Sequence, residues 1–269
     1  MRKVILFVTA LLLSMGTCSQ TAARRTTNEV PFEVKRSVLF ADLRLDEYTT
    51  SEWNSGYSNI ENERRFSASG AMLEHIEFSY NEDQGNRITT KITRDVESRL
   101  KNRVTYQYNP QGKLAREVLI DNKGKVVSTY EFTYDGSGNC ISRIIKDRTG
   151  GKLAETVYTV DSAGRRLTSE TRDFGQSAIS STRFSYDPQG QLVKEEVVNA
   201  DGRLTSSTIY EWRDGNEVTN ELRAADNKVQ MRITSEYGTR GELTRKTIDN
   251  FQGESKQILQ YEYVFRRQG

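Results

Sequence analysis

The sequence predicts an all-β fold: a long twisted or coiled antiparallel β-sheet made of tandem β-hairpin repeats of about 26 residues. Three observations lead there. An aromatic–x–aromatic motif recurs at a steady interval, two turn signals divide each interval, and apolar and polar residues alternate between the turns.

The motif reads Phe78-Ser79-Tyr80-Asn81, Tyr106-Gln107-Tyr108-Asn109, Phe132-Thr133-Tyr134-Asp135 and Phe184-Ser185-Tyr186-Asp187. Weaker copies end at Trp53, Val160, Trp212, Tyr237 and Tyr263. The second aromatic position therefore falls at 53, 80, 108, 134, 160, 186, 212, 237 and 263, with spacings of 27, 28, 26, 26, 26, 26, 25 and 26. Periods of 20–50 residues mark repeat architectures, and an ordinary sandwich does not keep such a metre.

The first turn of each interval follows the aromatic pair, as in Asn109-Pro110-Gln111-Gly112 and Asp187-Pro188-Gln189-Gly190. The second lies half a repeat later, as in Asp121-Asn122-Lys123-Gly124 and Asn199-Ala200-Asp201-Gly202. Asx side chains start such turns by accepting from the backbone ahead, and Gly supplies the positive φ that ends them. Two turns per unit leave two strands, which is a hairpin. Alternation then sets Tyr130, Phe132 and Tyr134 on one face and Glu131 and Thr133 on the other, predicting one aromatic and one polar face. In the other strand Leu114, Val118 and Ile120 share their parity with Arg116, so its face is mixed. Roughly sixteen strands would span about 75 Å if flat. A flat layer would leave its aromatic face wet, so the sheet is expected to coil on itself or find a cover.

The string Phe184-Ser185-Tyr186-Asp187-Pro188-Gln189-Gly190-Gln191-Leu192 resembles the YD repeat of the RHS family, and Tyr106–Leu114 is nearly as close. The resemblance covers about residues 51–264. It implies a coiled antiparallel strip, which in large family members encloses a toxin or other cargo. This chain is too short to close such a shell, and no toxin domain or self-cleaving core is evident in it. Short exported proteins with such repeats resemble envelope lipoproteins.

Residues 1–17 read as a signal peptide: Arg2 and Lys3 precede an apolar run from Val4 to Leu13, too short to span a bilayer. Cys18 follows in a context that resembles a lipobox, with Met15 and Thr17 at positions where Leu and Gly or Ala are usual. Cys18 is thus the expected lipid-attachment residue; cleavage near Ala22 or Ala23, giving a secreted protein, is the alternative. Residues 18–30 read as a polar tether and 31–269 as the repeat domain. The expected location is the cell envelope, with a lipid anchor in the outer membrane, or else the periplasm or outside the cell.

The +2 formal charge vanishes once Arg2 and Lys3 are removed, since 39 bases less two equal the 37 acids. A nucleic-acid binder would present a basic face, so that class is not expected. No catalytic, cofactor or metal site is expected either. His75 is the only histidine, and Cys140 reads as a half-buried free thiol, so no His/Cys metal cluster can form. No Gly-x-Ser-x-Gly elbow supports a triad. The turn acids Asp135, Asp161 and Asp187 read as turn caps rather than calcium ligands. Glu195 and Glu196 are adjacent in a strand and should face opposite sides. The functional expectation is a non-enzymatic envelope protein that binds or scaffolds a protein or glycan partner. The alternatives are a glycan hydrolase that works through carboxylates alone and a purely structural surface component.

Overall fold

A computed structural model describes residues 29–175 and 177–267. The described residues form eighteen strands: β1 (Glu29–Phe40), β2 (Leu45–Trp53), β3 (Ile60–Ser67), β4 (Met72–Asn81), β5 (Arg87–Arg94) and β6 (Leu100–Tyr108). Next come β7 (Leu114–Asp121), β8 (Val126–Tyr134), β9 (Cys140–Lys146), β10 (Lys152–Val160), β11 (Arg166–Asp173) and β12 (Ala178–Tyr186). The last six are β13 (Leu192–Asn199), β14 (Leu204–Arg213), β15 (Asn216–Ala224), β16 (Val229–Tyr237), β17 (Leu243–Asn250) and β18 (Ser255–Arg267).

Each strand pairs antiparallel with its chain neighbours, and β1 also pairs with β18 from Glu29↔Arg267 to Phe40↔Gln257. The meander is therefore a closed ring without free edges, which removes the pairing hazard of an open sheet. The expected coiling is carried through to closure. The eight intervals between Trp53 and Tyr263 supply the expected sixteen strands, β3 to β18; β2, which ends in Trp53, and β1, which carries no copy of the motif and closes the ring, bring the number to eighteen.

All strands run between two rims. At the aromatic rim the even-numbered strands end in their motif residues, and the turns β2–β3, β4–β5 and so on follow. At the far rim lie the turns β1–β2, β3–β4 and onward to β17–β18. The Asx residues work as turn caps: Asp135 Oδ1 accepts from the backbone N–H of Ser137 (2.9 Å) and of Asn139 (2.8 Å). Gly138, at φ 82°, then donates to the Asp135 carbonyl at 3.0 Å. A type I turn that ends in a left-handed residue is a favoured three-residue hairpin connection.

Bulges correct the predicted faces. Tyr108 pairs with Leu114 but Gln107 pairs with Arg116, so Ala115 is an extra residue. An inserted residue reverses parity. Leu114 thus shares the aromatic face with Tyr108, while Arg116 and Val118 lie on the other. Past the bulge, Glu117 stands opposite both Tyr106 and Tyr130 on the aromatic face. Lys91 opposite Phe78, Arg143 opposite Phe132 and Glu195 opposite Phe184 repeat the arrangement.

Both faces are consequently polar at mid-strand. The second face carries Lys146–Glu131 (2.6 Å), Arg94–Glu77 (3.0 Å) and Lys194–Glu196 (2.6 Å) ion pairs. Neither presents the continuous apolar band of a lipid-facing barrel. Among the described residues no helix is long and apolar enough to cross a membrane. Among the described residues the buried hydrophobic side chains are Leu39, Val118, Val198 and Ile258, all on the non-aromatic face, with Leu39 paired to Ile258. The motif aromatics are half-buried, so closure covers the aromatic face only in part. A ring of eighteen strands has a circumference of roughly 85 Å at about 4.8 Å per strand. Filling it would bury one face completely. Here both faces stay half-exposed, so the ring encloses solvent.

Candidate ligand-binding groove

The aromatic rim is held by one bond repeated around the ring. The Tyr108 hydroxyl donates to the Ile88 carbonyl, Tyr134 to Leu114 and Tyr186 to Arg166, each at 2.8 Å and each reaching 20 residues back. Tyr80, Tyr237 and Tyr263 do the same to Ile60, Glu217 and Leu243, and the indole N–H groups of Trp53 and Trp212 to Glu33 and Leu192. The acceptor in each case lies just past the end of a ladder; β7 and β8, for example, pair only from Arg116↔Glu131 inward. The aromatic tip therefore caps a carbonyl that the sheet itself leaves over, which is why Tyr or Trp is needed where Phe would fill the same space. Burial raises the pKa of Tyr134, Tyr186 and Tyr237, which keeps these hydroxyls as donors.

The β14–β15 turn is one residue shorter than the pattern, and one sector of this rim has longer turns. Trp53 to Ile60 takes one residue more than Tyr108 to Leu114, and Tyr80 to Ile88 takes two more. The extra residues lengthen two adjacent turns, β2–β3 and β4–β5, and a groove of about 520 Å³ lies between them. Phe78 and Tyr80 supply its aromatic surface, Asn54, Asn59 and Asn86 its amides, and Glu61 and Glu82 its carboxylates.

The β2–β3 turn is tied by its own first residue. Asn54 Oδ1 accepts from the N–H of Ser58 (2.9 Å) and of Asn59 (3.3 Å), and Asn54 Nδ2 donates to Ser58 Oγ (2.9 Å). Tyr57, at φ 52°, packs on Phe32 with ring centres 5.0 Å apart and lies under the Arg266 guanidinium at 4.4 Å. In the β4–β5 turn a 3-10 turn, Glu82–Gln84, leads into Gly85 at φ 74° and Asn86 at φ 56°. Left-handed backbone at Tyr57 is costly and is held by the surrounding packing, which pre-shapes this side of the groove. The Tyr80 hydroxyl is fixed on the Ile60 carbonyl at 2.8 Å, and its pKa is raised first by burial and then by Glu63 and Glu61. A half-buried ring beside amides and carboxylates can take the apolar face of a sugar while bonding its hydroxyls.

The residues weighed in the sequence are scattered. His75 lies in β4 with Nε2 3.1 Å from Asn62 Oδ1, and Cys140 is a half-buried free thiol at the start of β9. Glu195 and Glu196 face opposite sides, Glu195 towards Phe184 and Glu196 towards Lys194. Burial raises the Glu195 pKa, against the pull of the Tyr210 hydroxyl and Arg166. Tyr210 is raised in turn by burial, Glu195 and Glu217. Among the described residues no group of three or more His, Cys, Asp or Glu could hold a metal ion. Cys18 lies outside the described residues. The groove itself was missed, although the intervals of 27 and 28 residues were its signal in the sequence.

A hairpin metre, Asx–Gly turns and tyrosines that cap carbonyls 20 residues back define a tandem β-hairpin repeat protein whose repeats are YD-like. The repeats are RHS-like: residues 160–204 match the family model described as RHS Repeat. A comparison with curated proteins gives no significant match. Among solved structures, a Tc holotoxin pore of Photorhabdus luminescens is 14% identical with a TM-score of 0.34, covering 80% of this chain and 13% of that one. The chain thus spans a small part of that toxin chain. A porin-like protein from Bacteroides uniformis is 11% identical with a TM-score of 0.43, covering 86% of this chain and 98% of the other.

Proposed function

We propose that this protein is a non-enzymatic binding module of the bacterial cell envelope, anchored through lipid on Cys18, and that its rim groove takes a glycan. The observation that carries the reading is that the two longest repeat intervals adjoin and build the groove between them. Insertions in repeat proteins commonly collect on the binding face. The lining of Phe78, three asparagines and two glutamates suits a hydroxyl-rich ligand better than an apolar or strongly charged one. The experiment is a binding screen of oligosaccharides and peptidoglycan fragments against the wild type, Phe78→Ala and Asn86→Ala. Binding that both substitutions weaken at unchanged melting temperature supports the groove; binding that neither affects refutes it.

A carboxylate hydrolase is the second reading. Glu195 stands opposite Phe184 on the aromatic face beside the Tyr210 hydroxyl, and burial, with a smaller push from Glu217, raises its pKa, the direction that suits a general acid. Turnover of any of these glycans that disappears in Glu195→Gln would establish it in place of simple binding. Glu196→Gln serves as the control from the opposite face.

A further inference from the structure

We infer that the far rim is a self-association surface, on which a second copy of this chain docks rim to rim. The exposed large hydrophobic residues are not spread evenly over the ring. Among the described residues Leu43, Val96, Phe174 and Phe251 stand in far-rim turns and Phe40 ends the strand that enters one, and Phe174 is 74% exposed. Val126 and Val127 of β8, Leu153 of β10, Ile179 of β12 and Leu204 of β14 are also exposed, in the first two residues of the strands that leave those turns. Among the described residues the exposed large hydrophobics away from this rim are Leu167, Val157 and Val264. Three further far-rim turns continue the band with Ala68, Ala200 and Ala225, and only the β7–β8 and β9–β10 turns have polar tips; the aromatic-rim turns open on polar or turn-forming residues such as Ser55, Pro110, Ser162 and Pro188. Single exposed hydrophobics are ordinary, but a band confined to one end of a molecule marks a contact surface.

Charge and area favour a second copy over a bilayer. The ions of this rim are balanced, and many are paired inside their own turns: Asp42–Arg44 at 3.6 Å, Asp95–Arg99 at 2.8 Å and Asp226–Lys228 at 3.1 Å. A surface that seeks anionic lipid would be predominantly basic. Sinking this rim into a membrane would also carry the turn acids Asp121, Asp147, Asp173 and Asp201 towards hydrocarbon. A second ring meets the same balanced band without net repulsion. The contact is isologous, so one patch serves both partners. A band roughly 85 Å around and about 10 Å wide offers on the order of 850 Å² per copy, close to the roughly 800 Å² per partner of a stable interface. Docking this way leaves both aromatic rims, and their grooves, at the outer ends of a pair.

Sedimentation equilibrium on the Cys18→Ser protein, in which no acyl chain can drive association, tests the inference. A dimer is expected, with Phe174→Ser/Phe251→Ser raising its dissociation constant at least about tenfold. Ala68→Arg, at a turn tip without a bulky side chain, should weaken it likewise, and Leu167→Ser on the opposite rim should not. Circular dichroism of each variant identifies any that fails to fold, and Ala68→Arg then decides alone. A monomer at about 100 μM, a dimer indifferent to the far-rim changes, or co-flotation of the monomer with phosphatidylcholine or phosphatidylglycerol vesicles would overturn it.

Discussion

The Tyr134 hydroxyl donates to the Leu114 carbonyl at 2.8 Å, joining the last residue of β8 to the first of β7. The same bond recurs wherever the second motif position is Tyr or Trp, and it explains the repeat chemically: the ring covers the sheet and its polar tip closes the ladder.

Removing only the tip should therefore be felt. Tyr134→Phe is expected to cost about 1 kcal/mol, the usual worth of a hydrogen bond. Tyr134→Ala should cost on the order of 3 kcal/mol, because packing is lost as well. Thr133→Ala and Ser185→Ala, on exposed positions of the other face, should stay within about 0.5 kcal/mol. Urea midpoints measure all four. Equal losses on both faces would contradict the assigned alternation.

Val160 is the one motif position without a polar tip, and the residue 20 places back is Cys140. Val160→Tyr should supply the missing bond and raise the urea midpoint. A lowered midpoint would mean that Cys140 and its neighbours leave no room for a ring.

Stability should also depend on pH in two opposing ways. Burial raises the pKa of Glu33, Glu117 and Glu195, so their folded-state penalty is fully present above the raised values and is relieved as pH falls towards the ordinary Glu value. Hydrogen bonds hold Asp135, Asp147 and Asp161 below the usual carboxylate range. Their contribution is present above the ordinary Asp pKa and is lost as pH falls through the lowered values. Stability should rise from neutral pH into mild acid and then fall. Denaturant midpoints against pH test this, and Glu195→Gln should flatten the rise.

Cys18→Ser should move the protein from membrane to soluble envelope fractions. A mature N-terminus at Ala23 or Arg24, or unchanged fractionation, would contradict lipid attachment at this residue.

The hairpins and turns were legible in the sequence because Asx, Gly and the aromatic pair act locally, within a few residues of the bonds that they make. Closure was not, because β1 pairs with β18 across more than 200 positions and carries no repeat motif. The faces were half-legible: simple alternation places Tyr130, Phe132 and Tyr134 correctly, but the bulge at Ala115 reverses the count for Val118. The groove was hidden for a related reason. One extra residue before Ile60 and two before Ile88 look like noise in a metre until the two turns are seen side by side.

Closure is the central claim, since only a sheet that ends on itself has no free edges and gathers its turns into two complete rims. Amide hydrogen exchange followed by mass spectrometry tests it most directly, by comparing β1 and β18 with strands inside the ring such as β7 and β13. The closed ring predicts that the Val38–Leu259 and Arg36–Tyr261 pairings protect their segments as well as interior strands are protected. Rapid exchange across Arg36–Leu39 and Ile258–Tyr261, with β7 and β13 still protected, would show an open strip with two free edges and contradict the account.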